Sequence, residues 1–93
     1  MTSIAIIEDE FQHQQEKYGA EHDARHVEKE LARAGLAYVR MYLAETAGDR
    51  NLARGYYPFE DGWNPESPRR CLIKAAAFIA SELERLNDDR CKF

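Results

Sequence analysis

Apolar residues recur at helical spacing along three stretches of the chain. The first carries Ile4, Ile7, Phe11 and Tyr18 at steps of three, four and seven. That spacing predicts an amphipathic helix over 3–18, with a gap in its stripe at Gln14 and Gln15. Gly19 then offers a left-handed stop. The second stretch, 22–46, carries two rows: Leu31, Ala34, Tyr38 and Met41 in one, Ala32, Leu36, Val39 and Leu43 in the other. At roughly 100° per residue the rows are centred about 135° apart, so this helix is apolar over a wide arc and belongs between other elements. Gly35 costs about 1 kcal/mol in a helix interior, and its missing side chain is read as room for a neighbouring helix to come close. The third stretch opens on Ser67 as N-cap and Pro68 in the first helical position. Leu72, Ala76, Ile79, Leu83 and Leu86 follow as a coiled-coil-like seam, which ends at Asn87 and two aspartates. A helix over 68–87 is expected.

Between the second and third stretches, residues 47–67 lose this pattern and gather Tyr56, Tyr57, Phe59 and Trp63. A long irregular connection in a small domain is either functional or packed by its own side chains. The expected fold is a single all-α domain, a small bundle of three main helices. The central helix has more apolar arc than two neighbours cover, so the bundle is expected to be completed by homodimerisation. On this map Leu36 and Ile79 are buried.

With 93 residues, 44% of them hydrophobic and 32% charged, the chain forms one modest core. No run of about 18 apolar residues is present, so no membrane span is expected, and the start MTSIAIIEDE lacks the basic, apolar character of a signal peptide. A net charge of −4 argues against broad nucleic-acid binding, which needs a basic footprint. Cys71 and Cys91 show neither metal-ligand spacing nor a CxxC pair and are read as reduced thiols of a cytoplasmic protein.

Three groups could carry chemistry. His22, His26 and Glu30 lie four apart on one helix face, beside Asp23, and two imidazoles with a carboxylate at that spacing can hold a divalent ion. Glu82 or Glu84 would supply a fourth ligand. The plain alternative is a solvated face whose Asp23 favours the helix dipole. Glu82 itself sits at the edge of the seam, where a carboxylate needs a partner; Arg33, Lys74 or Arg85 would make it a structural ion pair rather than a catalytic acid. The third group is the aromatic connection with Arg69 and Arg70 at the following helix start. Rings that stack on a base and arginines at a helix N-terminus describe a nucleotide pocket; rings that cap the bundle end describe packing. No Gly-rich phosphate loop, GxSxG or Ser-His-Asp arrangement is present.

The segments EHDARHVEKELARAGLAYV, YPFEDGWNP and RRCLIKAAAFIASELERL resemble a family of small phage and prophage proteins, over residues 8 to 86. The resemblance implies an accessory role in a bacterial cytoplasm, directed at a host protein complex or a nucleotide signal, with inhibition of a host defence as one form of it; no cofactor is expected for that role. The Glu30-Leu31-Ala32 context is also similar to the all-α nucleotide pyrophosphohydrolases of the MazG type. That likeness implies the alternative, a dimeric hydrolase that holds magnesium between paired acids. Here Val27 stands three residues before Glu30 and Arg85 three after Glu82, where those enzymes carry acids.

Overall fold

Four helices and no strand make up the described residues. The computed structural model describes the backbone of residues 2–25, 29–60 and 62–89, and their side chains apart from 17–25 and 87–89. Helix α1 runs Ser3–Arg25, α2 Glu30–Leu43, α3 Ala47–Tyr56 and α4 Pro68–Asp89. Among the described residues no helix is long and apolar enough to cross a membrane.

The all-α expectation holds; the three-helix count does not. α3 lies inside the segment read as irregular. Its start is set by Thr46, whose Oγ1 accepts from the Asp49 backbone N–H at 3.1 Å, while Asp49 reaches back to the Glu45 N–H at 3.4 Å. This Thr-x-x-Asp arrangement satisfies two amides that would otherwise be orphaned. α2 ends at Leu43, short of residue 46, where Ala44 turns to an extended backbone and its N–H bonds the Met41 carbonyl. α1 passes through Gly19 instead of stopping there. One interior glycine costs only about 1 kcal/mol, and the following Ala and Glu propagate a helix well. The break falls later, where Lys29 adopts φ 68° ahead of α2. At the other end the expected start is found: Ser67 Oγ accepts from the Arg70 N–H at 3.2 Å, with Pro68 in the first turn.

α4 packs against both α1 and α2, and α3 packs against α2. The first row of α2 is core: Leu31, Ala34 and Tyr38 are buried. On α4, Cys71, Ala75 and Phe78 face them. Gly35 lies against α4, where a Cβ would come within 3.2 Å of Ile79 Cγ1 and 3.3 Å of the Ala75 carbonyl oxygen. The close approach expected from Gly35 is therefore realised. It also fixes which row of α4 turns inward, and that row is not the expected seam. Leu72, Ile79 and Leu83 are 43%, 47% and 57% exposed, and Leu36 on α2 is 43% exposed. Small residues let the helices meet at Gly35 and Ala75, so the row carrying Cys71, Ala75 and Phe78 enters the core and the leucine seam is left at its margin. Within the single chain, Leu36 and Ile79 are not core positions.

α1 meets α4 through polar groups. Gln14 is buried, and its Nε2 donates to the Lys74 carbonyl at 3.5 Å. Gln15 Nε2 donates to Ser81 Oγ at 3.3 Å, and Ser81 in turn donates to the Ala77 carbonyl at 3.1 Å. The gap in the apolar stripe is thus a contact surface.

The Gly35 crossing yields a direct test. A Gly35→Val change should lower stability by roughly 1–3 kcal/mol, because the added carbons overpack against a backbone oxygen that cannot turn away. Thermal melts that leave Tm unchanged or raised would show that α2 and α4 do not touch there.

Candidate functional site

Tyr38 is the one large side chain fully buried among the described residues. Its hydroxyl donates to the Gly62 carbonyl at 3.1 Å and accepts from the Asn64 N–H at 3.1 Å. One phenol therefore ties the irregular 57–67 connection to the middle of α2. Its ring stacks on Trp63 at 4.8 Å between centroids and lies nearly parallel to Phe78 at 6.0 Å. Tyr57 meets it edge-on at 5.9 Å, and Phe59 stacks on Phe78 at 6.2 Å. Tyr57, Phe59 and Trp63 are half-buried against the core.

A charged cluster stands beside this aromatic wall. The buried Glu10 of α1 accepts from Arg70 Nη2 at 2.5 Å. Arg70 Nε also binds Glu66 Oε2 at 3.2 Å, and Lys74 Nζ binds the same oxygen at 3.2 Å. Lys74 further donates to the Asn64 carbonyl and lies 5.7 Å from the centre of the Tyr38 ring. Lys74, then Arg70, hold the Glu66 carboxyl below its ordinary pKa. Burial opposes the charge on Arg70, but Glu66 and Glu10 outweigh it and raise the guanidinium's pKa.

The aromatic and charged groups together line a cavity of about 530 Å³, within the range of small-molecule sites. Tyr38, Trp63 and Phe78 contribute rings to it, and Glu10, Arg70 and Lys74 contribute charges. Gln14 lines it too. It is only 5% exposed, and its Oε1 is buried without a hydrogen-bond partner.

Of the residues singled out in the sequence, Trp63 and Arg70 reach this cavity. Tyr57 and Phe59 stand behind it in the core. Tyr56 is exposed and lies under Arg40, 5.2 Å from its guanidinium carbon, and Arg69 is exposed. Glu10, Gln14, Tyr38, Lys74 and Glu66 are also among the lining residues. Of these, the sequence marked Tyr38 as a core position, Lys74 as a possible partner of Glu82 and Gln14 as a polar break in an apolar stripe.

The metal candidates divide. His26 and the side chain of His22 lie outside the described residues. Glu30 opens α2 half-buried, and Glu82 is buried on α4, where it accepts from Arg85 Nε at 2.5 Å. The structural ion pair expected for Glu82 is formed with Arg85. Among the described residues, no three His, Cys, Asp or Glu side chains converge to hold a metal ion. Cys71 is buried with its Sγ 3.4 Å from the Pro65 carbonyl oxygen, and burial pushes its thiol pKa up. Cys91 lies outside the described residues.

No family model, curated protein or solved structure matches the chain.

Two outcomes follow from this geometry. Tyr38→Phe keeps the stacked ring but strips the connection of its donor and acceptor; a loss of about 1–2 kcal/mol is expected, seen as a Tm lower by several degrees. In a Cys91→Ser background, Cys71 should react with a thiol reagent at pH 8 far more slowly in the native protein than in denaturant, because it is buried and its thiolate is disfavoured. Equal rates in the two conditions would place it at the surface.

Proposed function

We propose that the chain is a binding protein that holds a small ring-bearing ligand of the nucleobase or nucleotide class in its cavity. The observation that carries this reading is the mixed lining: Tyr38, Trp63 and Phe78 share one cavity of about 530 Å³ with Glu10, Gln14, Arg70 and Lys74. A flat ring gains contact with the aromatic side. An N–H of that ring can donate to Gln14 Oε1, a buried acceptor whose unmet hydrogen bond costs roughly 1–3 kcal/mol in the free protein. Of the two roles implied by the phage-family resemblance, this chemistry favours capture of a nucleotide signal over docking on a host protein complex. It also favours binding over the hydrolase alternative, in which Glu82 would hold magnesium, since Arg85 already holds that carboxylate.

The protein works as a homodimer in this proposal. Leu36 on α2 and Leu72, Ile79 and Leu83 on α4 are exposed on rows that flank the Gly35–Ile79 contact. A second copy related by a two-fold axis offers the same apolar rows in return, which a single chain leaves in water.

Trp63 is the only tryptophan and lines the cavity, so its emission reports occupancy. Titration with the four common ribonucleosides and their 5′-monophosphates should produce a saturable change with at least one of them. Gln14→Met should weaken that binding about tenfold, one lost hydrogen bond, while the protein still melts cooperatively. Emission that stays flat across the whole panel at millimolar concentration would end the nucleotide reading. For the assembly, light scattering should give about twice the 10.8 kDa chain mass. The Leu36→Glu, Ile79→Glu double variant should become a monomer that still melts cooperatively. A monomeric wild type would remove the dimer.

A further inference from the structure

The cation pair at the cavity is already occupied by an anion, and that anion belongs to the chain. Glu66 places one carboxylate oxygen 3.2 Å from Arg70 Nε and 3.2 Å from Lys74 Nζ, two cations one turn apart on α4. We propose that Glu66 is a displaceable plug in an oxyanion subsite, and that the phosphate of a bound nucleotide takes its place between Arg70 and Lys74. This rests on the ligand reading of the cavity and adds the group that anchors the ligand.

The partners differ in how firmly they are held. Arg70 is fixed from behind by the buried Glu10, so its guanidinium stays when Glu66 leaves. Lys74 is fixed by the Asn64 carbonyl. Glu66 itself is 44% exposed and has no other hydrogen bond described than those to the two cations. Its backbone sits at φ 61°, in the left-handed region that a glutamate rarely adopts. Departure of its side chain into solvent costs the chain no core contact.

Charge and shape both suit phosphate. With Glu66 withdrawn, Arg70 and Lys74 face only Glu10, which leaves one net positive charge beside the cavity, and His13 lines the same space. A guanidinium and an ammonium that converge on one oxygen match the several acceptor oxygens of a phosphate monoester better than a single carboxylate does. The 5′-phosphate of a nucleotide and free phosphate share this chemistry, and they are separated by experiment.

The test compares wild type with Glu66→Gln, which removes the charge, and Glu66→Gly, which also relieves the backbone. Trp63 emission gives the affinity for a nucleoside and for its 5′-monophosphate. Each Glu66 variant should bind the monophosphate about tenfold tighter than wild type does, with nucleoside affinity unchanged. Adding Lys74→Gln to Glu66→Gln should abolish that gain. The same monophosphate-to-nucleoside ratio in wild type and in the Glu66 variants would overturn the plug. A second arm needs no ring: inorganic phosphate at one concentration for both proteins, ten times its dissociation constant for Glu66→Gln, with ionic strength matched by chloride, should raise the Tm of Glu66→Gln by about 5 °C more than that of wild type. If nucleosides fail to bind while this arm succeeds, the nucleobase reading falls and the anion subsite stands. If phosphate shifts both proteins equally, the plug is wrong whatever the nucleosides do.

Discussion

The hydroxyl of Tyr38 is the contact on which the rest of the site depends. The phenol sits in the middle of α2, buried between helices, and it both donates to and accepts from the connection at Gly62 and Asn64. That pair of bonds ties the connection to α2, while Lys74, Cys71 and Arg70 tie it to α4. With them, Trp63 is laid on the Tyr38 ring and Asn64 is held where its carbonyl meets Lys74. The ring then extends the order to α4 through Phe78. A single residue thus joins α2, the connection and α4, and the cavity is the space left between that assembly and α1.

The limits of periodicity explain which parts of this were legible in the sequence. The Leu31, Ala34, Tyr38 row and the Ser67–Pro68 start were readable because each rests on a local rule, helical spacing or capping. Gly35 was readable as a close approach because a glycine inside a helix needs a packing reason. The inward row of α4 was not readable. Leu72, Ile79 and Leu83 form the stronger apolar pattern, yet small residues at Gly35 and Ala75 decide how the helices cross, and they turn Cys71, Ala75 and Phe78 inward. Hydrophobic spacing shows that two rows exist; it does not say which row the chain covers by itself.

Polar burial was harder still. Glu10 carries no sequence mark that separates it from Glu8 or Asp9, since its burial depends on Arg70, sixty residues away. Gln14 announced itself only as a fault in a stripe. α3 hid behind Gly48 and Gly55, although Thr46 and Asp49 spelled out its cap. The candidate site was therefore legible through Trp63 and Arg70, and from α1 only through the break at Gln14.

The Glu10–Arg70 pair has a further consequence. Buried ion pairs add little net stability, because desolvation of both charges offsets most of their attraction, and an apolar pair of similar volume often does as well. Its stronger effect here is orientation. Arg70 divides its donors, with Nη2 committed to the buried Glu10 and Nε turned to the exposed Glu66. The guanidinium is thereby held in one plane at the cavity edge, with one side anchored in the protein and the other presented outward. A lysine at this position could not divide its contacts along a rigid fork in this way. Lys74, one turn on and held by the Asn64 carbonyl, adds an ammonium beside it. Glu10, buried on α1, keeps the guanidinium in position next to the cavity.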